Sequence, residues 1–106
     1  TIIVKQHDQY FMVVVPATES VDLPALRDLL GPGVEIASEP EMISLFPACE
    51  AGAMPPLGGL YGLPVIADAC LERQPTITVN AGTHTDVIEL RWQDFVESER
   101  PRLLTH

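Results

Sequence analysis

Two short segments of the chain contain the residue types that could support chemistry. The first, residues 46–68, is FPACEAGAMPPLGGLYGLPVIAD, and the second, residues 80–86, is NAGTHTD. Glycines allow a ligand to touch backbone amides, and apolar residues between them are typical of a pocket wall. The sequence therefore predicts a binding site with Gly52 and His84 as its main candidates. The alternative interpretation of the first segment is a loop that covers one end of a sheet.

His84 lies between two β-like runs, directly after Gly82 and Thr83. A neutral imidazole can both donate and accept a hydrogen bond at physiological pH, so a His at such a break could face a cleft. The alternative is a His that forms hydrogen bonds only within its own hairpin loop. The residue types alone leave both interpretations open.

Cys49 could act as a nucleophile for acyl transfer, with His84 and Asp86 as its partners. A reactive thiolate needs positive surroundings, however, and the chain has no Lys or Arg from Asp28 to Glu72. The neighbouring Glu50 is also acidic. We therefore expect Cys49 to be a buried structural cysteine, and a cysteine hydrolase is the least favoured enzyme class.

The chain is acidic, with six basic and fifteen acidic residues among 106 and a net charge of −9. Because nucleic-acid affinity depends on Lys and Arg that neutralise phosphates, this balance excludes a general DNA- or RNA-coating protein. We expect no DNA partner, and any RNA must be held locally. The basic residues available for such local contacts are Lys5, Arg73, Arg91, Arg100 and Arg102.

The composition also predicts the compartment and the absence of metal or cofactor. Cys49 and Cys70 form neither a disulfide framework nor a metal-binding spacing. No apolar run is long enough to cross a bilayer, and the first residues, TIIVKQH, lack the basic region and long apolar core that are typical of a signal peptide. We expect a cytoplasmic protein with no membrane contact, no metal and no cofactor. Four carboxylates match no calcium loop and are expected on a solvated face: Glu35, Glu39, Glu41 and Glu50.

Strands and short helices without a repeating βαβ order predict an α+β fold with a mixed, mostly antiparallel sheet. Residues 1–7 and 10–16 are β-rich runs separated by a turn at Asp8-Gln9, and the second run is apolar enough to be a central strand. Helices are expected after Asp22 and after Ser38, where side chains can cap a first turn. The remaining predicted elements are strands at 34–37, 64–68, 76–80 and 86–92, a brief turn or helix at 69–73 and a helix at 93–99. No regular helix or strand is expected in the Gly- and Pro-rich stretch between them.

The two segments and the end of the chain together resemble the YbaK/prolyl-tRNA-synthetase-associated domain family. The motifs that carry the resemblance are FPACEAGAMPPLG with YGLP, then NAGTHT, and finally Asp94-Phe95, all in register. The opening TIIVKQHDQYFMVVVPA fits the same template, so the similarity runs from Thr1 to about Val96. The resemblance implies a single domain, residues 1–106, with a curved, barrel-like sheet and short flanking helices. It also implies that an N-terminal segment with a functionally important lysine precedes Thr1.

Members of this family are aminoacyl-tRNA deacylases, either free-standing or inserted in prolyl-tRNA synthetase. The resemblance implies hydrolysis of the ester that joins a wrong amino acid to the 3′ adenosine of a tRNA. Such editing supports translation fidelity because a synthetase pocket rejects a slightly smaller side chain by only ~1–3 kcal/mol. The implied partner is the acceptor end of a mischarged tRNA. The alternative is a non-catalytic binding module of the same fold, which recognises an amino-acid-like ligand or a protein.

The resemblance also assigns roles to individual residues. The G-x-x-x-P signature falls on Gly52 and Pro56, and the backbone at Gly52 is expected to position the ester and the attacking water. His84 corresponds to a His that shapes the pocket against the cognate amino acid in one branch of the family. None of these residues is a nucleophile, and the ribose hydroxyl of the substrate assists the reaction. The implied substrate-binding residues are His84, Thr83, Gly82, Pro56 and Met54.

Overall fold

The computed structural model describes residues 1–16, 20–50 and 53–105 of the chain. The strands are β1 (Ile2–Gln6), β2 (Gln9–Val14), β3 (Val34–Ile36), β4 (Val65–Asp68), β5 (Thr76–Asn80), β6 (Val87–Arg91) and β7 (Arg102–Leu104). The helices are α1 (Leu23–Leu30), α2 (Glu39–Leu45), α3 (Gly58–Tyr61) and α4 (Trp92–Glu99), with a 3-10 helix at Ala69–Arg73. None of the helices in these ranges is long and apolar enough to cross a bilayer.

Five strands form one sheet in the order β3-β1-β2-β4-β7, and β5 and β6 form a separate antiparallel pair. In the larger sheet β1 pairs antiparallel with β2 and β3, whereas the β2–β4 and β4–β7 pairings are parallel. The α+β class and the mostly antiparallel, mixed sheet are therefore confirmed. The barrel-like closure is not found among the described strands, because β3 and β7 leave the five-stranded sheet open at its two edges.

The β1–β2 hairpin sets the register of the central strands. Gln6 pairs with Gln9, so the turn residues are His7 and Asp8, one position earlier than the turn predicted at Asp8-Gln9. His7 takes a positive φ of 56°, which tight hairpin turns require. The prediction that the second run is a central strand is confirmed, since residues 11–14 are buried and β2 lies between β1 and β4.

Both predicted helix caps are present, and each follows from local chemistry. The Asp22 carboxylate accepts a hydrogen bond from the Ala25 amide at 3.0 Å and starts α1. Ser38 and Glu41 form a reciprocal capping box at the start of α2. Gly31, with a φ of 102°, ends α1 in a conformation that other residues rarely adopt.

Alternate residues of β1 and β2 face opposite sides of the sheet, so each face supports its own apolar cluster. On one side Val4, Phe11 and Val13 pack with Leu26 of α1. The other cluster includes Ile3, Met12, Phe46, Met54, Ile77, Val79 and Phe95. The Gly- and Pro-rich segment and β5 therefore cover the same face of the sheet, which brings the two sequence segments of interest to one side of the molecule.

The Gly- and Pro-rich segment is folded onto this face. Contrary to the expectation of no regular structure there, residues 58–61 form the single helical turn α3. Met54 and Pro56 are fully buried, while Tyr61 remains 37% exposed and packs edge-on against Phe46 with ring centroids 4.5 Å apart. β7, which was not predicted, is a three-residue strand held by its parallel pairing with β4.

Candidate functional site

Main-chain hydrogen bonds join the two segments that the sequence analysis identified. The Glu50 amide donates to the Gly82 carbonyl at 2.7 Å, and the Gly82 amide donates to the Ala53 carbonyl at 2.9 Å. The Ala53 amide in turn donates to the Glu50 carbonyl at 3.0 Å. A side chain adds a fourth contact, because Glu50 Oε1 accepts from the His84 amide at 3.0 Å. These bonds hold residues about thirty positions apart in the sequence next to each other.

The loop between β5 and β6 is held by its own polar side chains. Thr83 Oγ1 donates to Asp86 Oδ2 at 2.6 Å and accepts from the Asp86 amide at 2.9 Å. Asn80 Nδ2 donates to the Thr83 carbonyl at 3.3 Å, and the Ala81 amide donates to the Asp86 carbonyl at 2.8 Å. Since the Thr83 hydroxyl proton is directed at Asp86, Thr83 can offer a ligand only acceptor capacity. The loop is preorganised before any ligand binds.

Gly82 is buried at the junction of the two segments and has a φ of 102°. A Cβ at this position would lie 3.8 Å from Cys49 Sγ, an ordinary contact distance. A lack of room for a side chain therefore does not explain why position 82 is a glycine. Its backbone conformation does, because residues with side chains rarely adopt this φ. The conformation places both its amide and its carbonyl in hydrogen bonds to the first segment.

Cys49 is half-buried, so the expectation of a fully buried thiol is not met. Its Sγ lies 3.9 Å from Tyr61 Oη. The Asp86 carboxylate, which a catalytic triad would require beside an imidazole, accepts from Thr83. Cys49 Sγ thus contacts Tyr61 within the first segment, and the described contacts of Cys49 include no cation.

The predicted site residues fall into three groups. Gly82, Thr83 and His84 lie together beside Glu50 and Ala53, and the His84 side chain is exposed. Met54 and Pro56 are fully buried. Gly52 lies outside the described residues. The substrate-binding and catalytic roles of all six residues stay predictions.

A cavity of about 490 Å³ adjoins the loop. It is lined by the start of β1, the end of β2, the whole of β5, and Leu71 and Gln74. The cavity reaches the loop through Asn80, which both lines it and donates to Thr83. His84 is not one of the lining residues. The volume is within the range of small-molecule sites, and the threonine and amide side chains of the wall supply polar groups among apolar ones.

Three of the four carboxylates expected on a solvated face have specific partners, and one of them, Glu35, lies 3.5 Å from Lys5 Nζ. Glu41 accepts hydrogen bonds from Lys5 Nζ, Tyr10 Oη and the Ser38 amide. These contacts, with that from the Ser38 amide the strongest, lower the pKa of the Glu41 carboxyl to about 2. Glu50 accepts from His84, as described above. Within the described ranges, no group of three or more His, Cys, Asp or Glu residues could hold a metal ion.

Fold and site together define an α+β domain in which two hydrogen-bonded segments lie beside a cavity of about 490 Å³. The family profile for the aminoacyl-tRNA editing domain matches residues 1–97. The chain therefore belongs to the aminoacyl-tRNA editing domain family, as its resemblance to YbaK/prolyl-tRNA-synthetase-associated domains indicated. None of the curated protein sequences matches the chain significantly.

Several solved structures are similar to the chain in fold. A protein proposed to be a trans-editing enzyme for prolyl tRNA synthetase superposes with a TM-score of 0.87 at 19% identity, covering 99% of this chain and 68% of its own. A hypothetical protein superposes with a TM-score of 0.86 at 20% identity, over 97% and 69% of the two chains. A proposed signal transduction protein from Marinobacter aquaeolei VT8 gives 0.80 at 16% identity, over 96% of this chain and 23% of its own. At these identities the likeness establishes the fold alone.

Sequence reasoning missed the roles of three residues that organise the site. Asn80 and Asp86 hold the loop between β5 and β6 by hydrogen bonds, whereas Asp86 was considered only as a catalytic partner of Cys49; the frequency of Asn and Asp in turns could have indicated this role. Glu50 was grouped with solvated carboxylates. Its contact with His84 spans 34 residues, so no local pattern could have revealed it.

Proposed function

We propose that this domain hydrolyses the ester bond of a mischarged tRNA. The observation that carries the proposal is the joining of the two family motifs by the hydrogen bonds of Glu50, Ala53, Gly82 and His84. Membership of the editing-domain family supports the same conclusion. In this reaction water attacks the ester carbonyl and the bond to the ribose oxygen breaks. The products are a free amino acid and a tRNA with a free terminal hydroxyl.

The proposed catalytic element is the backbone at Gly52. Preorganised backbone donors that stabilise a developing oxyanion contribute strongly to acyl-transfer reactions, because they need no reorganisation during the reaction. Glu50 and Ala53, which flank residues 51 and 52 in the sequence, are both held by main-chain hydrogen bonds. No side-chain nucleophile is needed, and the substrate's ribose hydroxyl assists the water.

The amino-acid end of the substrate is proposed to occupy the space between the loop of Gly82, Thr83 and His84 and the neighbouring cavity. Asn80 connects these two features. Thr1 lies on the cavity wall, and the resemblance puts the family's functional lysine directly before it. In this arrangement the side chains of Met54 and Pro56 are buried and stabilise the conformation of the loop of Gly82, Thr83 and His84.

The test is single-turnover deacylation of a panel of mischarged tRNAs by the parent protein and by Gly52→Ala. We expect the parent to hydrolyse at least one member, and Gly52→Ala to lose about 10²- to 10³-fold in rate while staying folded, as for removal of an oxyanion donor. Gly59→Ala is the matched control, since a Cβ there meets only Glu99 Oε2 at 3.5 Å. Full activity in folded Gly52→Ala would refute the assignment of Gly52.

The second candidate function is a non-catalytic binding module for an amino-acid-like ligand or a protein. The net charge of −9 favours it, because this charge opposes RNA binding. The same panel separates the two functions. A parent protein that binds free amino acids or their esters but hydrolyses no member of the panel would be a binding module.

A further inference from the structure

Glu50 contacts the loop between β5 and β6 at two points. Its main-chain amide donates to the Gly82 carbonyl at 2.7 Å, and its side-chain Oε1 accepts from the His84 amide at 3.0 Å. The main chain of Glu50 therefore contacts the loop at Gly82, and its carboxylate contacts the loop two residues further on, at His84. A hydrogen bond from an amide to an ionised carboxylate is stronger than one between neutral groups.

The remaining contacts of the loop do not depend on this carboxylate. Thr83 and Asp86 bind each other, and the Gly82 amide binds the Ala53 carbonyl. Loss of the Glu50 carboxylate should therefore leave the loop folded and change mainly the position of the His84 main chain. Because the imidazole is attached to that main chain, a small shift there moves the ring relative to Glu50 and Ala53.

We propose that Glu50 is a positioning residue for His84, and that through His84 it determines which aminoacyl groups the domain accepts. The proposal rests on the proposed deacylase function and adds a residue to it. Discrimination between small side chains corresponds to only about 10- to 200-fold in rate, so a modest displacement of a pocket residue is enough to change the order of substrates.

Three substitutions of Glu50 separate its geometry from its charge. Glu50→Gln keeps an acceptor oxygen at the same reach and should retain the parent's order of substrates. Glu50→Asp keeps the charge but is one methylene shorter, and it should behave like Glu50→Ala. Glu97→Ala removes an exposed carboxylate on α4 and controls for the change of net charge.

The first readout is hydrogen exchange of the His84 amide, followed by NMR in each folded variant. We expect exchange to be about tenfold faster or more in Glu50→Ala and Glu50→Asp than in the parent, with little change in Glu50→Gln or Glu97→Ala. Unchanged exchange in Glu50→Ala would overturn the proposal. This readout does not require activity, so it distinguishes a failure of the proposal from a failure of the proposed function.

The second readout is the ratio of deacylation rates for two aminoacyl-tRNAs that differ by one methyl or methylene group. Glu50→Ala should change this ratio by about tenfold in the same direction as His84→Ala, and the double variant should change it no further. A uniform loss of rate with an unchanged ratio, or an equal defect in Glu50→Gln, would overturn the proposal. If the parent hydrolyses no member of the panel, the selectivity claim fails with the proposed function, and the exchange experiment alone decides whether Glu50 positions His84.

Discussion

Among the described glycines of the Gly- and Pro-rich segment, Gly58 has the least room for a side chain. A Cβ there would overlap the Leu63 carbonyl oxygen and Val65 Cγ2, which belong to the backbone and to a buried strand. Neither group can move without disturbing the sheet. The glycine is therefore required by packing, in contrast to Gly82, where the backbone conformation is the reason.

We expect Gly58→Ala to lower the free energy of unfolding by about 1–3 kcal/mol or more, the usual cost of overpacking a filled interior. Urea denaturation of both proteins measures this difference. Gly59→Ala is the control, because its Cβ would make only an ordinary contact. Equal stability of Gly58→Ala and the parent would show that the segment can move away from β4.

At the residue scale, the sequence predicted interactions that are local in the chain. The Asp22 cap and the Ser38–Glu41 capping box were recognised because each joins residues three positions apart. The contact of Glu50 with His84 could not be recognised in this way, since it exists only after the two segments have folded together. Gly82 and His84 were predicted as site residues, but the partner that holds them was not.

At the element scale, one carboxylate connects the β1–β2 hairpin to α2. Glu41 of α2 accepts from Lys5 of β1 at 3.0 Å and from Tyr10 of β2 at 2.8 Å. Lys5 also pairs with Glu35 of β3 at 3.5 Å. The hydrogen bond with Glu41 raises the pKa of Lys5 and that of Tyr10. Lys5 thus has a structural role at the turn end of the hairpin.

This cluster predicts a pH-dependent contribution to stability. The pKa of Glu41 is about 2 in the folded protein and 4.5 as the ordinary value, so the folded state favours the ionised form. The contribution is complete above the unfolded pKa and is lost as the pH falls through the folded pKa. The stability difference between the parent and Glu41→Gln should therefore shrink as the pH falls from about 5 to about 2.

Thermal denaturation across this pH range measures the difference. Glu39→Gln is the matched control, because Glu39 lies in the same first turn of α2 but is exposed. A difference between the parent and Glu41→Gln that does not change with pH would contradict the role of Glu41.

The elements themselves were largely predictable, but their arrangement was not. Hydrophobic alternation and caps predicted most of the strands and helices of the chain. The parallel pairings of β2 with β4 and of β4 with β7 depend on contacts far apart in sequence. β7 has only three residues, and α3 lies among glycines and prolines, so tertiary contacts override weak local preferences in both.

At the scale of the whole molecule, several of the few Lys and Arg side chains already bind other groups of the protein. Lys5 is paired with Glu41 and Glu35, and Arg91 is paired with Asp94 at 2.9 Å. Arg102 donates to the Leu29 carbonyl at 3.4 Å. With a net charge of −9, little positive charge remains to neutralise an RNA backbone. For the proposed function we therefore expect the tRNA to be recognised at its acceptor end, through the aminoacyl group and its ribose, with few phosphate contacts.

This limit on phosphate contacts predicts how activity depends on salt and on the length of the RNA. Each phosphate contact to a single strand contributes about −0.7 to the slope of log affinity against log salt. We expect a slope of about −2 or shallower for kcat/KM, measured under subsaturating conditions between about 50 and 200 mM salt. A mischarged acceptor-stem minihelix should be hydrolysed within about threefold of the rate for the full tRNA, because the recognised groups are the same. A steep slope together with a large loss on the minihelix would instead show that this acidic chain, or a segment joined to it, binds the body of the tRNA.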